Sequence, residues 1–166
     1  MPGLLLLTCS ALALSAGAPS AEAATSPSTP SGLTFAASLG AGGETGLEVG
    51  KAGLLELELA GGWEFQPSRI HPELAIAVGV ATESSIAIRP GLRAGLAEVP
   101  IWLRVALDFS TAREPGLHAR WLLLGAAWEL RFNTLLALDL GLDFGVPLSG
   151  SAGVPFMLRG GGTFRL

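Results

Sequence analysis

From residue 33 onward, apolar side chains recur at every second position. That is the period of an extended strand, which turns successive side chains to opposite faces, and not the 3.6-residue period of a helix. Over 54–65, Leu55, Leu57, Leu59, Trp63 and Phe65 share one phase, while Glu56, Glu58, Ala60, Gly62 and Glu64 share the other. Over 73–82, Leu74, Ile76, Val78 and Val80 oppose Glu73, Ala75, Ala77 and Gly79. Over 86–96, Ile86, Ile88, Leu92 and Leu96 oppose Ala87, Arg89, Gly91 and Arg93. Segment 101–109 sets Ile101, Leu103, Val105, Leu107 and Phe109 against Trp102, Arg104, Ala106 and Asp108. Segment 136–145 sets Leu136, Leu138, Leu140, Leu142 and Phe144 against Ala137, Asp139, Gly141 and Asp143. In 156–166, Phe156, Leu158, Phe164 and Leu166 oppose Met157, Arg159, Gly161, Thr163 and Arg165.

Adding 33–41 and 117–132 predicts eight strands, with breaks near 42–53, 66–72, 83–85, 97–100, 110–116, 133–134 and 147–154. The expected fold class is all-β, an eight-stranded antiparallel up-and-down barrel. Eight strands suffice to close a barrel across a membrane, and connectors after even-numbered strands that average shorter than the others match the asymmetry of periplasmic turns and extracellular loops. The break at Glu83-Ser84-Ser85 has neither Gly nor Pro, so it reads as a turn or as a bulge in one long strand. Pro90 removes a ladder hydrogen bond, which predicts a bulge at Arg89-Pro90-Gly91. His118 and Arg120 are out of phase with Glu129 and Arg131. That predicts a bulge near Leu122 to Leu124, or a sixth strand whose first residues stand above the membrane.

The start of the chain follows another pattern. Residues 4–14 form an apolar run interrupted only by Thr8 and Ser10, followed by small residues and the triplet Ala21-Glu22-Ala23. A small-x-small triplet after such a run marks a signal-peptidase cut, and the run has no polar face to turn to water as a packed helix would. Residues 1–23 are therefore read as a cleaved signal peptide, 24–32 as a Ser/Thr/Pro linker and 33–166 as the barrel.

Composition then removes several functions. The lone cysteine, Cys9, leaves with the signal peptide, so no disulfide or thiolate metal site is expected, and His71 and His118 alone make no zinc cluster. A net charge of -4 lacks the basic footprint of a nucleic-acid binder, and a mean hydropathy of +0.52 is too apolar for a disordered chain. Past residue 30 no uncharged apolar run reaches the ~18 residues of a membrane-spanning helix, so a membrane would be crossed by strands. No cofactor is expected.

Alternation alone leaves open which face points inward, because a soluble lipocalin-like ligand binder is apolar inside and a membrane barrel is apolar outside. Three features favour the membrane barrel. The polar phase is mostly Ala and Gly with scattered charges, and lacks the Lys, Thr, Gln and Asn of a watery exterior. Threading the chain up and down puts Phe35, Trp63, Phe65, Trp102, Trp128, Phe132 and Phe164 near one end, and Phe109, Trp121, Phe144 and Phe156 near the other. Two such levels suit aromatic girdles at the two membrane interfaces. An eight-stranded barrel has room inside only for side chains. There Glu56, Glu58, Asp108, Glu129, Asp139 and Asp143 can pair with Arg89, Arg93, Arg104, Arg131 and Arg159, as buried charges must.

The C-terminal stretch Arg159-Gly160-Gly161-Gly162-Thr163-Phe164-Arg165-Leu166 is similar to the assembly signal of small bacterial outer-membrane β-barrel proteins: polar, x, Gly, x, x, aromatic, x and a hydrophobic terminus. Residues 33–166 as a whole resemble the eight-stranded members of that group, the OmpA transmembrane domain, OmpX and OmpW. The resemblance implies insertion in the bacterial outer membrane, contact with outer-membrane lipid, and recognition of the last strand by the barrel-assembly machinery through Arg159, Gly161, Phe164 and Leu166. The terminal Leu166 stands where the family usually ends in Phe.

Three functional classes follow. The leading one is a structural or surface-interaction protein with a mostly plugged, charge-lined lumen and loops 42–53, 110–116 and 147–154 displayed outward to an unknown ligand. A second is a narrow pore for small or hydrophobic solutes. A third is a lipid-modifying hydrolase or acyltransferase using Ser110, Glu114 and His118 around one loop; no family motif surrounds His118, and no enzyme is expected.

Overall fold

The computed structural model describes residues 32–46, 50–80, 84–97, 99–112, 115–150 and 152–166. The expected signal peptide and all but Gly32 of the linker lie outside the described residues. Eight strands follow in order: β1 (Gly32–Gly46), β2 (Gly50–Glu64), β3 (Ile70–Gly79), β4 (Ser85–Gly95), β5 (Ile101–Ser110), β6 (His118–Arg131), β7 (Leu136–Pro147) and β8 (Val154–Arg165). Each pairs antiparallel with its sequence neighbours, and β1 with β8 closes the barrel. Residues 32 and 166 lie at one end with connectors 65–69, 96–100 and 132–135, here called the terminal end. The strand ends Gly46, Gly50, Gly79, Ser85, Ser110, His118, Pro147 and Val154 lie at the opposite end.

Strand phase sets the two faces. Leu55, Leu57 and Leu59 of β2 point outward while Glu56 and Glu58 between them are buried, and the same alternation runs round the wall. The outside is apolar: Leu59 is 56% exposed, Ile76 53%, Leu140 61% and Leu158 58%, whereas Arg89 is 1% and Asp108 0% exposed. This is the reverse of a lipocalin-like barrel.

Five expectations are corrected. Within the expected loop 42–53, residues 42–46 and 50–53 are strand, because β1 and β2 stay paired out to Gly46↔Gly50. Its glycines read as a break, yet Gly42 lies so close to the backbone of Phe156 and Met157 that a Cβ would overlap it. That extension also shortens the first connector of the opposite end, so the loop-length asymmetry between the ends is slight. No bulge forms at Arg89-Pro90-Gly91: the β3–β4 register is unbroken there, and on the other side the ladder to β5 skips two residues and resumes in register. The bulge of β6 lies earlier than Leu122 to Leu124, where Asp108 faces Trp121 and Phe109 faces Ala119, leaving Arg120 as the extra residue. Finally, Trp102 and Trp121 stand inside and not in the outer girdles, at 2% and 3% exposure. Trp102 follows the inward phase of Arg104 and Trp121 that of Leu123 and Glu129, while the bulge turns Arg120 inward beside Trp121.

Candidate functional site

The chemistry of this molecule is concentrated inside the barrel, where side chains from all eight strands converge. Glu58 of β2 is the hub. Its carboxylate lies 2.8 Å from Arg89 Nη1 and 3.0 Å from Arg104 Nη2, and Arg159 also donates to it. Arg89 of β4 in turn donates from Nη1 and Nη2 to Glu56 at 2.5 and 2.8 Å, and from Nε to Asp108 at 2.6 Å. Arg104 of β5 donates to Glu73 at 2.6 Å and lies 3.7 Å from Asp143, which also accepts from Arg159. A guanidinium presents its donors in a planar fork, which lets one arginine join carboxylates from different strands.

Toward the terminal end the network continues. Arg165 Nε donates to Glu64 at 2.8 Å, and Arg165 and Arg131 both reach Glu129. Asp139 accepts from Thr163 at 2.5 Å and lies 3.4 Å from Arg93. The Thr34 hydroxyl lies 2.5 Å from His71 Nε2, and His71 Nδ1 is 3.7 Å from Glu73. Trp102 sits beneath two cations, with Arg69 and Arg93 at 5.0 and 5.3 Å from its ring centre. Arg69, at φ 51, leaves the 65–69 turn to donate to the carbonyls of Leu96 and Val99, so its side chain spans two turns of that end.

At the opposite end, Arg120 donates to Glu44 at 2.7 Å and lies 4.0 Å from the Trp121 ring centre. Gly153 N donates to Glu44 at 2.6 Å, and Trp121 Nε1 donates to Gly153 O at 2.9 Å. Gly153, just before β8, is thereby tied to β1 and β6, beside a small apolar cluster of Ala106, Trp121 and Leu123.

Two small cavities flank the central layer. One, of about 60 Å³, lies between Glu58, Arg104 and Trp102, with Ala36, Ala60 and Gly161 leaving the space. The other, of about 30 Å³, lies between Arg89, Asp108 and Trp121. A water needs ~10–15 Å³ by the same measure, so each has room for a few waters.

All the lumen charges expected from sequence point inside: Glu56, Glu58, Arg89, Arg104, Asp108, Glu129 and Asp143 are buried, and the side chains of Arg93, Asp139, Arg159 and Arg131 are 11%, 15%, 11% and 31% exposed. Sequence reasoning missed Glu44, Glu64, Glu73, Arg120 and Arg165 as members. Glu64, Glu73 and Arg165 share the inward phase of residues that were chosen, a signal available in the alternation itself. Glu44 lay in an expected loop and Arg120 beside the misplaced bulge. Of the expected girdle residues, Phe35, Trp63, Phe65, Trp128, Phe132 and Phe164 are exposed outside near the terminal end, and Phe144 and Phe156 outside nearer the other, with Phe109 half-buried. In the last strand Phe164 and Leu166 face out while Arg159 and Gly161 face in.

The triad types do not assemble among the described residues. Ser110 and His118 face each other across β5–β6, yet Ser110 Oγ accepts the Ala112 N–H at 3.1 Å and His118 Nδ1 points to Gly116 O at 3.5 Å. Glu114 lies outside the described residues.

No family model and no curated protein matches the chain. Among solved structures, Neisserial surface protein A (NspA) superimposes with a TM-score of 0.60 at 10% identity, covering 81% of this chain and 97% of that one. A de novo designed transmembrane β-barrel gives 0.48 at 14% identity over 84% and 99%, and the N-terminal β-barrel domain of Pseudomonas aeruginosa OprF gives 0.47 at 13% over 82% and 100%. The NspA likeness is one of fold: the eight-stranded closed barrel described here extends over nearly the whole of that protein.

Proposed function

We propose that this chain is a bacterial outer-membrane β-barrel protein with a structural or surface-interaction role. In this reading residues 1–23 direct export and are removed, and the wall formed by 33–166 sits in outer-membrane lipid. The barrel-assembly machinery reads the last strand through Arg159, Gly161, Phe164 and Leu166. One observation carries the proposal, the polarity of the wall, with leucines exposed all round and arginine–carboxylate pairs buried within. In water that arrangement exposes a continuous apolar belt and buries ions; in a bilayer both surfaces find the partners they need. The fold shared with Neisserial surface protein A supports the same address.

The lumen reads as a plug. Its arginines and carboxylates join from wall to wall, and the two cavities beside them have room for only a few waters. The experiment is expression of the full-length protein in a Gram-negative host, with outer membranes compared unheated and boiled on a denaturing gel. A mobility shift confined to that fraction is expected; recovery from the soluble periplasm with no shift refutes the membrane reading. A narrow pore is the second reading, favoured by the small Ala and Gly residues lining the larger cavity. Planar-bilayer recording separates the two, since the plug predicts no steady channel from the purified protein.

A further inference from the structure

We propose that the β3–β4 hairpin is a movable panel of the barrel wall, held shut from within by Arg89. Backbone direction carries the argument. Across β4–β5, Thr111 N donates to Ile86 O at 3.0 Å and Leu96 N to Ile101 O at 2.9 Å. The even-numbered residues of β4 therefore aim their backbone groups at β5, and Pro90, which is one of them, has no N–H to give the Leu107 carbonyl. Across β2–β3, Val80 N donates to Leu55 O at 2.9 Å and Phe65 N to Ile70 O at 2.8 Å. The even-numbered residues of β3 thus aim at β2, and Pro72 withholds a donor from the Trp63 carbonyl.

Both gaps appear in the ladders. The β4–β5 pairing passes from Ile88↔Phe109 to Gly91↔Ala106 with nothing between, and the β2–β3 pairing ends at Gly62↔Glu73 apart from the single bridge Phe65↔Ile70. Among the described residues these two seams hold seven ladder pairs each, against nine or more at every other seam. The seam inside the hairpin, by contrast, is continuous from Ile70↔Ala94 to Gly79↔Ser85. By backbone pairing, strands β3 and β4 are joined continuously to each other and with gaps to the wall on either side. A proline in a closed barrel has no edge to retreat to. Of the four prolines in the strands, Pro147 and Pro155 lie beyond the last β7–β8 pair, Phe144↔Phe156, at one end of that seam, whereas Pro72 and Pro90 weaken the two outer seams of one hairpin.

Arg89 bridges those two seams from inside. Its guanidinium holds Glu56 and Glu58 of β2 on one side and Asp108 of β5, the neighbour of Leu107, on the other. Segments open locally in the order of the backbone bonds and buried contacts that hold them. The hairpin therefore opens as a unit ahead of the other strands, and its opening uncovers the lumen sideways, through the wall and not through either mouth.

Amide hydrogen exchange read by mass spectrometry on the folded full-length protein in phosphatidylcholine vesicles tests this. The expected result is exchange in 70–79 and 85–95 faster than in 136–144 and 156–164 by about tenfold or more. Arg89→Lys should accelerate the two hairpin segments further and leave β7 and β8 nearly unchanged. Pro90→Ala, which restores the missing donor, should slow exchange on the β4–β5 side, and it keeps the test decisive if the arginine variant does not fold. Uniform protection round the barrel overturns the proposal. So does acceleration by Arg89→Lys spread over all strands, or a Pro90→Ala variant whose 85–95 exchange equals that of the parent.

Discussion

Glu58 shows how one residue organises the interior. Its carboxylate is shared by Arg89, Arg104 and Arg159, and each of those arginines has a further carboxylate of its own. Neutralising it leaves three buried guanidinium groups repelling one another with part of their donors unsatisfied. Removing one partner of a buried pair typically costs about 3–5 kcal/mol, because the other charge stays behind. Glu58→Gln should lose stability of that order in urea unfolding of the vesicle-inserted protein. Arg131, whose side chain is 31% exposed, is the control. Water reaches its guanidinium, and its buried partners Glu64 and Glu129 each keep Arg165, so Arg131→Ala should cost under about 1 kcal/mol. Equal losses in the two variants would refute the view that burial at the barrel centre sets the strength of these pairs.

At the scale of the strand, a period of two makes most of the wall legible. Leu136, Leu138, Leu140 and Leu142 against Ala137, Asp139 and Gly141 assign both faces of β7 without any knowledge of its neighbours. The misreadings have local physical causes. A bulge shifts phase without a marker in composition, so Arg120 and Trp121 both point inward although they are adjacent. Trp102 and Trp121 have the chemical type of girdle residues but the inward phase of their own strands. The partners of each charge were illegible for a different reason, since Glu58 and Arg159 are far apart in sequence and meet only when β1 and β8 close the ring. The tryptophans test the strand phases directly. Trp63 and Trp128 are 44% and 61% exposed outside, while Trp102 and Trp121 are enclosed. In single-tryptophan variants reconstituted with brominated acyl chains, fluorescence of Trp63 and Trp128 should be strongly quenched and that of Trp102 and Trp121 nearly unaffected. Quenching of Trp121 by the acyl chains would place the bulge wrongly.

The molecule as a whole is a polar rod inside an apolar sleeve. Its outward residues stay apolar along almost the full height of the wall: on β7 and just beyond, Leu136, Leu138, Leu140, Leu142, Phe144, Val146 and Leu148 are all at least 40% exposed. At ~3.3 Å per residue and a tilt of ~45°, the thirteen residues 136–148 rise roughly 30 Å, enough for the ~25 Å apolar band of an outer-membrane barrel. Little of the wall is then left to project into water, and the connectors at either end are short. Depth should govern the effect of charge on this surface. Leu142 lies at the middle of the β7 row and Leu148 at its end, and the two are exposed to similar extents, 57% and 48%. An arginine facing lipid costs about 2–4 kcal/mol at the bilayer midplane and about 0–1 kcal/mol near an interface. Leu142→Arg should therefore destabilise the vesicle-inserted barrel by about 2–4 kcal/mol and Leu148→Arg by less than about 1 kcal/mol. A barrel standing in water would treat the two alike, because exposed leucines at either height would already be solvated, so equal and small effects would move the apolar sleeve out of the bilayer.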